Sequence, residues 1–312
     1  MIWKKFKALG SDIILSADPD RGQKSSLDEA EQIIIDFEKR FSRFVDGNEL
    51  SRLNDLSGQD YAGSDMMIDL LKKSGHLYHE TNGIFDPTII GSLEAIGYAR
   101  SFDEVNKDNA LKNDKFDLEI IQRINSLRPR MEELKIFGNI LTRPKNFRLD
   151  LGGIGKGYIV DFLTDKIFCD IENFWISAGG DLLVRGMADN ESGWQIGVQD
   201  PENPEHDKFI IKTKGEKLAV ATSGVIKRKG LLNDFAWHHI IDPRNGLPVK
   251  NDILSVTVIS TDTARADVFA KTVLILGPED GLKFIEAKTD SACIIFLKNK
   301  EPIFSRNAIK YS

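Results

Sequence analysis

Asp150-Leu151-Gly152-Gly153-Ile154-Gly155-Lys156-Gly157-Tyr158 is the stretch on which the fold turns. It opens a helix expected over about 156–168, and strand-like sequence follows at 174–178 and 182–185. A glycine loop at a helix start invites comparison with the nucleotide folds. This one lacks the Gly-Lys-Ser/Thr ending of a Walker loop and the G-x-G-x-x-G order of a dinucleotide fold. Two uses remain open: an anion site on the helix N-terminus, aided by Lys156, or tight packing.

Working outward, further segments rich in β-branched and aromatic residues fall at 194–199, 217–221, 255–260 and 293–297. Helices fit at 263–276 and 279–287, with Gly277-Pro278 between them. Strands and helices mix without a regular β-α-β period, so the expected class is α+β, with mostly antiparallel sheets and two closely joined lobes in one domain. Toward the N-terminus, residues 2–17 read as one strand or a hairpin around Gly10. A helix is expected from Ser26, which has capping-box spacing to Glu29. Another starts near Ser64 and ends before Asn82-Gly83. Residues 99–125 are charged and read as an irregular surface insertion.

Composition narrows the function classes. The 312 residues carry a net charge of −6, with 41% hydrophobic and 29% charged residues. That balance suits a globular protein and argues against a general nucleic-acid binder, which shows a basic stripe. No apolar run reaches the roughly 18 residues of a membrane span. With no signal segment or lipid-attachment cysteine in the chain, the expected location is cytoplasmic. Cys169 and Cys293 have no metal or redox spacing and read as core or strand residues.

Four other segments concentrate polar chemistry. Gly83-Ile84-Phe85-Asp86-Pro87-Thr88 is a turn signal. Ser177-Ala178-Gly179-Gly180-Asp181 ends a strand. Ala221-Thr222-Ser223-Gly224 precedes His239-Ile240-Ile241-Asp242-Pro243-Arg244-Asn245-Gly246. There a histidine beside a carboxylate and an arginine suits a base with a phosphate clamp, or a structural histidine. In Ala266-Asp267-Val268-Phe269-Ala270-Lys271-Thr272, Asp267 stands in an apolar helix. It is placed to cap the helix, to pair with Lys271 four residues on, or to hold a cation.

In this order and spacing, these segments resemble the FAD:protein FMN transferase family, also called ApbE. Ala8-Leu9-Gly10-Ser11, Phe41-Ser42-Arg43-Phe44, Ser51-Arg52-Leu53-Asn54 and Trp194-Gln195-Ile196-Gly197-Val198 add to the match. The resemblance implies transfer of FMN from FAD to a threonine or serine hydroxyl of an acceptor flavoprotein, with AMP leaving and Mg²⁺ at the pyrophosphate. FAD pyrophosphatase activity and non-catalytic flavin binding are the alternatives. By motif, Leu9, Phe44, Ile84, Phe85, Asp86, Asp150, Lys156 and Ile241 would be flavin-site residues. Gly153, through its carbonyl, and Asp267 would hold the metal, and His239 would be the general base. Asp86 and Lys156 lie in turns or at a helix start, so their removal is expected to spare the fold. Lys271 stands where the family's usual Asp-x-x-x-Thr has threonine. Its ammonium would either fold away, leaving Thr261, Thr263 or Thr272 as spare hydroxyls, or take over part of the cation's work. The second arrangement is the expected one.

Overall fold

The computed structural model describes residues 1–18, 23–56, 58–98, 117–188, 192–226, 229–232 and 235–311. Side chains at 23–24, 229–232 and 235–237 lie outside the description. The chain divides into two compact units, both discontinuous in sequence. The first comprises Met1–Lys39, Ile154–Gly224 and Asp252–Ser312, and the second Arg40–Gly153 and Val225–Asn251.

An eight-stranded antiparallel sheet dominates the first unit, in the order β1 (Ile2–Ala8), β2 (Ser11–Ala17), β6 (Phe174–Ala178), β7 (Asp181–Arg185), β10 (Leu218–Gly224), β15 (Ile253–Ser260), β16 (Ala292–Leu297) and β17 (Ile303–Phe304). Helix α7 (Thr263–Leu276) packs on β10 and β15, against α6 (Gly155–Lys166) and α8 (Pro278–Glu286). The hairpin of β8 (Gln195–Gln199) and β9 (Asp207–Lys212) adds Ile196, Val198 and Ile211 to a core with Val184, Val220 and Ile259. Strand β16 is buried at every position, so it reads as a continuous apolar run instead of an alternating one.

The second unit is helical with small sheets. It holds α2 (Glu49–Asp55), α3 (Asp65–Glu80), α4 (Ile90–Ala95) and α5 (Leu118–Leu127). Strands β3 (Tyr61–Ala62), β5 (Ile140–Thr142) and β4 (Lys135–Phe137) form a three-stranded sheet. Hairpins β11 (Lys229–Leu232) with β12 (Phe235–His238), and β13 (Ile241–Asp242) with β14 (Leu247–Pro248), complete it. Helix α3 starts next to Ser64 as expected, and Ser64 caps it, accepting from the Met67 N–H.

The expected α+β class holds, and three local readings change. Helix α1 (Gln23–Phe41) begins ahead of Ser26, which is an interior residue and not a cap. Residues 118–125 of the supposed irregular insertion are helical, capped by Asp117 and anchored by buried Ile121 and Asn125; residues 99–116 lie outside the described residues. Cys169 is exposed in a turn, whereas Cys293 is buried, and burial pushes its thiol up to about 12. Among the described residues no helix is long and apolar enough to cross a membrane.

Candidate functional site

The first unit gathers three of the sequence motifs at one end of its sheet. The β1–β2 turn is Leu9-Gly10, with φ of 56° and 61°. A leucine in the left-handed region costs roughly 1–2 kcal/mol, which glycine or asparagine would largely avoid. Beside it lies the Gly179-Gly180 turn of β6–β7. The Gly179 N–H donates to the Asp12 carbonyl at 2.9 Å, and a Cβ on Gly179 would come within 2.6 Å of Ser11 Oγ. Asp181, 1% exposed at the start of β7, is ion-paired with Lys156 on the first turn of α6.

That first turn separates the two readings of the glycine loop. Gly157 serves packing: a Cβ there would sit 2.6 Å from Ala264 Cα, so its absence lets α6 and α7 meet. The helix N-terminus itself remains suited to an anion. Its cap residue, Ile154, makes no side-chain capping bond, and the N-terminal dipole end is positive. Helix α7 contrasts with it. Asp161 accepts from the N–H groups of Thr263 (2.7 Å) and Ala264 (3.0 Å), and Asp262 caps Arg265, so its first turn is already supplied with carboxylates.

Asp267 lies one turn into α7 and is 1% exposed. Its Oδ1 accepts from the Lys271 ammonium. Its Oδ2 is buried without a protein partner among the described residues, as is Thr263 Oγ1. A buried carboxylate oxygen without a donor is costly unless a cation or donor joins it, so this position fits a metal. No cluster of three or more His, Cys, Asp or Glu accompanies it among the described residues. Mg²⁺ takes one or two carboxylates plus substrate phosphates, so a single carboxylate is compatible with it. Thr272 is not a spare hydroxyl, because it donates to the Val268 carbonyl at 2.9 Å.

The second unit carries the other predicted residues, and here the structure revises what several can do. Asp86 is not a free turn carboxylate. Its Oδ1 accepts from the Thr88 N–H (3.0 Å) and hydroxyl (2.7 Å), and its Oδ2 from Arg128 at 2.6 Å, with Arg130 at 3.8 Å. Both ends of the Asp86–Arg128 pair are buried, at 1% and 6% side-chain exposure. Burial pulls the Arg128 guanidinium below its ordinary value, and Asp86 opposes that pull. Ile241 is also core, packed with Leu93, Ile96, Tyr98 and Ile121, so its side chain supports the site from behind. Ile84 and Phe85 are buried.

Arg128 moors the His239–Gly246 segment as well. The Pro243 carbonyl accepts from Asn125 (3.1 Å), Arg128 (3.2 Å) and Arg130 (3.2 Å). Asp242 and Arg244 form a fork at 2.7–3.1 Å, so that arginine is engaged within its own turn. Upstream, His238 is held at both ring nitrogens: Nε2 lies 2.9 Å from the Val249 carbonyl, and Nδ1 accepts from the Ile240 N–H at 3.3 Å. Its imidazole is pushed below its ordinary value by burial, against that carbonyl bond. His238 is therefore a neutral structural residue beside the candidate base. A cleft of about 310 Å³ opens here, lined by residues including Tyr78, Asn82, Ile84, Arg130 and Arg244.

Phe44, Asp150 and His239 are linked through two residues that the sequence reading gave no role. Arg43 Nε lies 3.1 Å from Asp150 Oδ2, its guanidinium covers the Phe44 and Tyr98 rings, and Tyr98 packs edgewise on His239. Asp150 Oδ1 accepts from the Gly152 N–H at 2.6 Å, so this carboxylate shapes the glycine loop. Arg43 sat inside a quoted motif. Arg128 and Asn125 carried no signal, since Asp86 and Pro243, the partners that give them a role, lie 42 or more residues away.

This architecture is the fold of the solved ApbE proteins. The chain superposes on the crystal structure of the ApbE protein from Thermotoga maritima with a TM-score of 0.86 at 22% identity, covering 99% of this chain and 98% of that one. The ApbE family model matches residues 9–295, and the chain belongs to the ApbE family. It is 28% identical over 264 residues to the FAD:protein FMN transferase of Vibrio cholerae serotype O1, covering 83% of this chain and 75% of the relative. It is 33% identical over 168 residues to that of Klebsiella pneumoniae, covering 54% and 51%.

Proposed function

We propose that the protein is an FAD:protein FMN transferase. A threonine or serine hydroxyl of an acceptor flavoprotein attacks the FMN phosphorus of FAD. The new P–O bond to the acceptor forms as the bond to the AMP phosphate breaks, and the hydroxyl proton passes to His239. In-line positioning and charge neutralisation do most of the work in such a transfer. The uncapped start of α6 suits the pyrophosphate, and the Phe44 ring suits the flavin. The observation that carries the reading is the Asp267 Oδ2 atom, a buried carboxylate oxygen without a protein donor among the described residues.

Mg²⁺ at that oxygen would neutralise charge building on the pyrophosphate. The Lys271 ammonium on Oδ1 supports a shared role, in which part of the positive charge is supplied by the chain itself. Incubation with FAD, Mg²⁺ and a flavoprotein acceptor domain tests the function. An acceptor heavier by FMN less one water, with one AMP released per label, is the expected result. AMP and free FMN without labelling would identify a pyrophosphatase instead, and no AMP at all would refute both.

A further inference from the structure

We propose that Arg43 is a positioning residue for the transfer. On this view it fixes both the aromatic surface offered to the flavin and the placement of His239. The proposal rests on the transferase reading above.

Arg43 is 6% exposed in its side chain, and among the described residues it has an ion pair, a hydrogen bond to a carbonyl and two ring contacts, all within the second unit. Nε pairs with Asp150 Oδ2 at 3.1 Å, and Nη2 donates to the Tyr98 carbonyl at 2.6 Å. The guanidinium carbon lies 4.3 Å from the Phe44 centroid and 4.8 Å from that of Tyr98. The two rings are 6.0 Å apart at 65°. Tyr98 is itself buried, and its ring meets His239 at 6.4 Å, again at 65°. The cation therefore sits against the corner where the Phe44 and Tyr98 rings meet edge to face, and Tyr98 in turn packs on His239.

The chemistry of arginine explains the arrangement. A planar guanidinium can donate in its plane while its faces lie against aromatic rings, and it is weakly hydrated enough to be buried there. Phe44 is 39% exposed, so a ring partly open to solvent is held against a cation at its inner side. Asp150 supplies the counter-charge, and its other oxygen holds the Gly152 N–H. One guanidinium thus couples the glycine loop, the exposed ring and the candidate base. A lysine would keep the charge on Asp150 but lose the planar contacts and the in-plane bond to Tyr98.

Arg43→Lys and Tyr98→Leu test this in the full chain. The apo protein is read first, by the ring-proton NMR shifts of His239, which the neighbouring Tyr98 ring displaces. Both variants should move those shifts toward the values of an unpacked histidine. In transfer assays both should lower kcat by about tenfold to a hundredfold, the scale of a misplaced catalytic group, with a smaller change in KM for FAD. The shift in flavin absorbance on binding should shrink in Arg43→Lys. If Arg43→Lys does not fold, Tyr98→Leu decides the question by the same readouts. Unmoved His239 shifts with kcat within about twofold of wild type would overturn the proposal. Failure of wild type to transfer FMN, with His239 still responding to Arg43→Lys, would refute the transferase reading and with it the catalytic half of the proposal. The packing half would survive.

Discussion

Asp86→Ala is the substitution on which structure and sequence disagree most usefully. A carboxylate in an Asp-Pro-Thr turn reads as a ligand contact whose loss spares the fold. In the structure it is the buried acceptor for Arg128 and Thr88. Removing one partner of a buried pair strands the other charge and costs about 3–5 kcal/mol. Against a total stability of about 5–15 kcal/mol that is a large fraction. For a unit of this size it corresponds to a drop in Tm on the order of 10 °C. Circular dichroism melts of the apo protein give the comparison directly. The double variant Asp86→Ala with Arg128→Met should recover part of the loss, because it leaves no uncompensated cation. An apo Tm within about 2 °C of wild type, together with weakened FAD binding, would show the carboxylate acting on ligand and not on Arg128.

Three further outcomes are expected. Wild type should retain partial FAD binding in excess EDTA, and Lys271→Thr should lose it; equal and complete loss in both would make this an ordinary magnesium site. His239→Ala should lower FMN transfer by about 10²–10⁴-fold while FAD affinity measured by calorimetry changes little; unchanged turnover would remove His239 from the mechanism. Stability should be complete above the ordinary imidazole value of 6.5 and fall as pH drops below it. There the unfolded chain binds a proton that folded His238 resists. Melts between about pH 7.5 and 5.5 in wild type and His238→Asn check this, and an equal slope in both would place the sensitivity elsewhere.

The sequence was most legible where a local pattern and tertiary packing agree. The 174–178 strand and the 263–276 helix fall on their expected bounds because apolar runs and the Gly277-Pro278 break need no distant partner to be read. Helix α5 was obscured by the charged residues before it, although Leu118, Ile121 and Asn125 carry a helical spacing. The site was legible as a set of motifs but not as a set of roles. Asp86, Ile241 and Asp150 were found, yet their side chains are occupied by Arg128, by the Leu93–Ile121 core and by Arg43. Such pairings join residues far apart in sequence, and no local periodicity encodes them. Lys271 is the opposite case, since a separation of four on a helix already implied the contact with Asp267.

The interleaving of the two units has a consequence for how the chain is made. Strand β2 ends at Ala17, and its sheet partner β6 begins at Phe174, 174 − 17 = 157 positions later. At roughly 5–20 residues per second, the β1–β2 hairpin waits about 8–30 s on the ribosome before its neighbour emerges. The second unit's Arg40–Gly153 segment is synthesised entirely within that interval. Strand β10 waits in turn for β15, so the last sixty residues close a sheet begun by the first seventeen. During translation the exposed strand is β2, whose inner residues Ile13 and Leu15 are fully buried at the end. Until β6 arrives, that edge lacks its pairing partner, the condition in which a strand edge can pair with another chain.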